Sequence, residues 1–248
     1  MRNTNKLKIL LWLFIVYILS FICYVPSLLE QHGIFVANGL FFVKYLFVCI
    51  PAITAILFLI YEHNLKKYFV QMFLDKIPTR HILRWIIFVV VGILVSYCYS
   101  VIVEVDLFQS SYSPITTLLI SCIYLFITGL VEEIAWRGFL LERVSFEKKS
   151  IFNIIFVGVA WTIWHMPMWI IRNSLCTEQI IYFCIWTILV SYVIGTTYYQ
   201  CQNVLLIALI HATFNISYLA PVQYNVIILA IVIAIGTLFT KKRTELEK

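Results

Sequence analysis

Long apolar runs, repeated from one end of the chain to the other, leave this sequence few folds to choose from. They can be read as about eight stretches, 9–29, 39–61, 85–103, 114–141, 151–171, 179–199, 204–220 and 225–240, most of them near the ~20 residues with which a helix crosses the hydrocarbon core. Inside lipid every backbone polar group must be satisfied within its own segment, so runs of this kind become helices. With 62% hydrophobic and only 12% charged residues among 248, an ordinary soluble core could not absorb the apolar surface. The expected fold is therefore all-α, a polytopic membrane protein with a single integral membrane domain over 1–248. The first run follows Arg2, Lys6 and Lys8, but it is long and no small-residue cleavage site follows Pro26, so it reads as a retained signal anchor.

Orientation comes from the basic residues of the short loops. Of the 18 Lys and Arg, all but Lys44 and Arg172 fall on one side of the eight-run reading, grouped at the first run, between the second and third, around Arg137 to Lys149, and after the last. Both termini are then cytosolic. The net charge of +6 reports topology and contact with anionic lipid, and no interleaved basic and aromatic pattern points to nucleic acid. The segment Glu62 to Arg84 reads as a connector along the cytosolic interface. Seven cysteines without a CxxC pair indicate neither a disulfide frame nor a zinc cluster, and Cys201 is expected to be accessible near a cytosolic turn.

Against this background the adjacent acids Glu132 and Glu133, in Leu130-Val-Glu-Glu-Ile-Ala-Trp-Arg-Gly-Phe-Leu-Leu141, stand out. Carboxylates at membrane depth are costly and are usually kept for a task. Glu133 and Arg137 are four apart, on one helix face and able to pair, whereas Glu132 is rotated about 100° away and has Trp136 as its i+4 neighbour. Glu132 is thus the carboxylate suited to take a proton from water. Two histidines also lie in apolar runs: His165, and His211 with Asn215 four residues on along the same face. An imidazole and a carboxamide so spaced can converge on one substrate oxygen. Counting about 1.5 Å per residue from the cytosolic edge puts Glu132 and Asn215 roughly 16 Å deep, His211 about 10 Å and His165 about 20 Å, all in the cytosolic half.

Together these residues resemble a known signature. Glu132-Glu133 with Arg137, then Trp161 with three residues between it and His165, then His211 with Asn215, is similar to the three motifs of the CPBP intramembrane proteases, the CAAX prenyl endopeptidases and bacteriocin-processing enzymes also called Abi proteins. The most specific part is Glu-Glu-x-x-Trp-Arg-Gly-x-Leu, and the resemblance covers roughly 130–216 within catalytic core helices at 114–220. The second motif usually begins with Phe; Trp161 stands there instead, aromatic for aromatic and outside the expected chemistry. The resemblance implies hydrolysis of a membrane-associated peptide or protein, with Glu132 and His165 activating water, His211 and Asn215 stabilising the oxyanion, and Glu133 and Arg137 in support. It leaves the cofactor open between none and zinc, for which Glu132, His165 and His211 would be the ligands. A bacterial plasma membrane and a role in peptide maturation or bacteriocin self-immunity are the biology it suggests. A proton-coupled transporter and a non-catalytic immunity or scaffold protein are the alternatives from other classes.

Overall fold

The computed structural model describes residues 2–34, 38–73, 82–83, 86–87, 90, 94, 114–144, 150–172 and 177–218. Among them there is helix and no strand. In chain order the elements are α1 (Arg2–Gln31), a 3-10 helix (Asn38–Cys49), α2 (Ile50–Tyr61), α3 (Leu65–Phe73), α4 (Pro114–Glu133) running directly into a π-helix (Ile134–Leu141), α5 (Ile151–Arg172), α6 (Thr177–Cys201) and α7 (Val204–Tyr218). The switch from 3-10 to α winding coincides with Pro51 in the first turn of α2, where its missing N–H costs nothing.

By length and composition four segments can cross a membrane: Lys6–Gln31, Val43–Tyr61, Ile151–Met168 and Thr177–Cys201, with Val204–Asn215 a shorter apolar helix. They answer to the first, second, fifth and sixth apolar runs and, shortened, to the seventh. The run 114–141 is helical throughout but is not among the four. The runs 85–103 and 225–240 fall almost wholly outside the described residues, as does most of the connector beyond Phe73. The described residues carry four such spans of the expected eight.

Rows of large apolar side chains face outward along these helices, among them Leu7, Leu10, Phe14, Ile18 and Phe21 on α1, and Ile53, Leu57 and Ile60 on α2. Scattered single residues would mean little, but continuous stripes on successive helices are surfaces for acyl chains.

Two compact units divide the chain, residues 1–70 with 131–191, and 71–130 with 192–248. The core of the first is aromatic. Trp164 stacks on Phe47 with centroids 4.1 Å apart, Trp136 lies 5.8 Å from Trp164, and Trp12 meets Trp136 edge-on at 5.7 Å. Polar bonds fix helix to helix where apolar packing alone has no preferred register in lipid. Tyr17 donates to the carbonyl of Ala160 at 3.0 Å, Trp164 Nε1 to Ser20 at 2.9 Å, and the hydroxyls of Thr162 and Thr187 lie 2.6 Å apart. At Gly158 a Cβ would lie 3.0 Å from Ser191 Cβ and Oγ, so α5 and α6 approach closely enough there that a larger residue would press on Ser191. In the second unit Asn203 caps α7, its side-chain oxygen accepting the N–H of Leu206 at 3.1 Å.

Candidate active site

The first unit gathers the acidic pair of α4, the π-helix that follows it, and α5. Every residue from Ala135 to Leu141 is buried, and Glu132 and Glu133 are 6% and 0% exposed. Glu133 accepts from Arg137 Nη1 at 2.8 Å, an ion pair with both side chains at 0% exposure. Spacing alone anticipates that pair, although the winding between them changes from α to π. Two further guanidinium nitrogens of Arg137, Nε and Nη2, have no hydrogen-bond partner among the described residues. Part of their charge is met by a ring face, since Arg137 Cζ lies 4.8 Å from the centre of Trp161.

Trp161 is the residue whose part the sequence understated. Its Nε1 donates to Glu132 Oε2 at 2.8 Å, bridging α5 to the end of α4, with Trp161 itself 1% exposed. Spacing gives Glu132 no i+4 basic neighbour, and in the structure its carboxylate is gripped by an indole. A phenylalanine could not do this. The exchange of Phe for Trp, expected to lie outside the chemistry, therefore touches the candidate base directly.

One turn along α5, His165 Nδ1 lies 2.8 Å from the backbone oxygen of Trp161. A carbonyl can only accept, so Nδ1 carries the hydrogen and the lone pair of the neutral ring sits on Nε2. The imidazole is edge-on to three aromatic rings, Trp161 at 5.2 Å, Trp164 at 4.7 Å and Phe183 of α6 at 5.3 Å, which limits its tilt. The half-buried His165 and the buried Glu132 are thus both referred to one residue, Trp161.

His211 and Asn215 belong to the second unit, on α7. His211 is 1% exposed and Asn215 half-buried. The helix passes α4 closely at Gly129, where a Cβ would lie 3.3 Å from both the Ala208 oxygen and His211 Cγ. A larger residue at 129 would press on His211, which would have to give by a few tenths of an ångström. Among the described residues no three His, Cys, Asp or Glu side chains are grouped so as to hold a metal ion. Cys201, expected to be accessible, is buried, and its thiol donates to the Thr197 carbonyl at 3.2 Å.

These are the helices that a family comparison picks out. Residues 114–217 match the type II CAAX prenyl endopeptidase Rce1-like family. The match takes in α4, the π-helix, α5, α6 and nearly all of α7, less than half of the chain, and it shows the family resemblance that the three motifs carried. Over those helices the chain is similar to a family of membrane endopeptidases, and its long apolar helices accord with an integral membrane protein. A comparison with curated proteins returns no match.

A second polar cluster lies in the first unit, at the ends of α1, α2 and the π-helix. Glu62 accepts from Lys8 Nζ at 2.9 Å on one carboxylate oxygen and from Arg143 Nη2 at 2.7 Å on the other. Burial pushes the Glu62 carboxyl up, but the hydrogen bonds and charges of Lys8 and Arg143 outweigh it and hold the group below the ordinary carboxylate range. Arg143 also lies over Phe139 at 3.8 Å and Tyr68 at 4.6 Å. Lys8, Glu62, His63, Tyr68, Glu142 and Arg143 line an open cavity of about 700 Å³. The sequence reading counted Lys8 and Arg143 as topology signals and missed this stitch, because nothing in the spacing relates positions 8, 62 and 143.

Proposed function

We propose that the protein hydrolyses a membrane-associated peptide by a metal-free Glu–His mechanism in the cytosolic half of a bacterial plasma membrane, in peptide maturation or bacteriocin self-immunity. The observation that carries it is the double attachment to Trp161, whose indole N–H holds Glu132 and whose backbone oxygen sets the tautomer of His165. Glu132 takes a proton from water as its oxygen attacks the scissile carbonyl, His165 orients that water through Nε2, and the proton passes to the departing amine. His211 and Asn215 donate to the oxyanion, and the ion pair of Glu133 with Arg137 holds the end of α4 in place. Catalysis needs these groups where charge develops, so a buried, prefixed carboxylate is worth its desolvation cost.

The test is cleavage of a quenched-fluorescent, lipid-anchored peptide by purified protein in liposomes. Glu132→Gln and His165→Ala abolish cleavage with unchanged melting, and Asn215→Ala lowers kcat by about 10²–10³ with little change in KM. Thorough chelation leaves the wild type unaffected. Cleavage by Glu132→Gln and His165→Ala at the wild-type rate would sink the reading and turn attention to proton-coupled transport, measurable in the same vesicles. Loss of activity on chelation with recovery on added zinc would replace the dyad by a metal mechanism.

A further inference from the structure

Three contacts tie Trp161 to Glu132, Arg137 and the ring nitrogen of His165, and of these only one depends on its being tryptophan. The backbone oxygen that meets His165 Nδ1 at 2.8 Å exists for any residue. The ring face under Arg137, 4.8 Å from Cζ, exists for any aromatic one. The Nε1–H that donates to Glu132 Oε2 at 2.8 Å belongs to the indole alone. A neutral donor on an anionic acceptor in a water-poor site makes a charge-assisted bond, stronger than the same contact in water. The guanidinium over the ring draws π density toward itself and makes the N–H a better donor. Arg137 is itself fixed by Glu133 at 2.8 Å, so the chain of contacts runs from Glu133 through Arg137 and the indole to Glu132.

We infer that Trp161 is a positioning residue that fixes the rotamer of Glu132 by donating its indole N–H to Oε2. This rests on the reading of Glu132 as the general base. A carboxylate on a flexible glutamate has several rotamers, and proton abstraction requires one of them within hydrogen-bond reach of the water. The indole donates from a fixed direction, on a helix other than the one that carries the glutamate, and so ties α5 to α4 at the carboxylate.

Trp161→Phe isolates the effect, since it keeps the backbone oxygen for His165 and the ring for Arg137 while removing the N–H. In the liposome assay with the lipid-anchored peptide, kcat falls about 10- to 10²-fold, the loss of one hydrogen bond to a charged group, while KM and the melting temperature stay near wild type. A variant that merely packed worse would lower the melting temperature. The second arm needs no turnover: with indole-15N-labelled protein in nanodiscs, the Trp161 N–H resonance, assigned by its loss in Trp161→Phe, moves upfield in Glu132→Gln and further in Glu132→Leu. Wild-type kcat in Trp161→Phe, alongside an inactive Glu132→Gln, overturns the positioning role and spares the general base. An active Glu132→Gln overturns the base instead, and an unmoved indole resonance overturns the bond itself.

Discussion

Two arginines on one helical run meet carboxylates in opposite ways. Arg137 is fully buried and ion-paired with Glu133, and two of its nitrogens have no hydrogen-bond partner among the described residues. Arg143, near the end of the run, shares Glu62 with Lys8 where the side chains are 12% and 14% exposed, and its guanidinium is covered by Phe139 and Tyr68. Removing a charge from water costs several kcal/mol, which attraction in the interior repays only with good geometry. The inner pair is therefore poor value as a stabiliser and makes sense as the support of Glu132. The outer cluster, still in touch with water, ties the ends of three helices together at small cost. Burial, more than pairing, is what separates the two ion pairs.

Breaking the inner pair has the largest expected effect. Glu133→Gln takes from the buried Arg137 the carboxylate of its ion pair and lowers stability by about 3–5 kcal/mol, read as a drop in detergent melting temperature and folded yield. Joint replacement by Glu133→Leu and Arg137→Met restores most of the melting temperature while activity stays lost. Were the single variant to melt like wild type, with activity lost selectively, the contrast with the outer cluster would dissolve and Glu133 would join the reacting groups.

How much of this could be read from the chain follows the same division. The i, i+4 relation is local, so Glu133 with Arg137 was visible from spacing, and hydropathy located the helices that now stand as spans. What escaped is lateral. Glu132 with Trp161, and Lys8 with Glu62 and Arg143, join distant parts of the chain, and no periodicity encodes which faces of two helices meet in lipid, where every apolar face is equally at home. Winding escaped too: the 3-10 segment Asn38–Cys49 and the π-helix Ile134–Leu141 have the composition of any apolar helix. An indole where the resembled family has a phenyl ring was visible all along, but its N–H acquired meaning only when a carboxylate stood 2.8 Å away.

The outer cluster should respond by smaller amounts and to acid. Glu62→Gln removes both contacts and costs about 1 kcal/mol, since partly exposed pairs contribute ~0.2–1 kcal/mol each. The sign with pH follows from the lowered carboxyl: the contribution is complete above the ordinary glutamate value of 4.5 and is lost as pH falls through the depressed value in the folded protein. Wild type should lose melting temperature there and Glu62→Gln should lose less, so the two curves converge in acid. Parallel curves would mean that Glu62 holds nothing.

Lys8 gives the smallest effect and the sharpest control. Its side chain is 45% exposed, so its bond to Glu62 at 2.9 Å is exchanged readily with water and screened by salt. Lys8→Met should cost no more than about 0.5 kcal/mol at low ionic strength, and the difference should vanish by about 0.5 M salt, where the screening length is shorter than the spacing of surface charges. Glu133→Gln, measured in the same series, should stay as destabilised in high salt as in low, because ions do not reach a pair at 0% exposure. Salt thus sorts the two clusters without reference to activity. If Lys8→Met proved as costly as Glu62→Gln and as indifferent to salt, the outer cluster would be a buried site like the inner one, and the distinction drawn between Arg137 and Arg143 would fail at its weaker end.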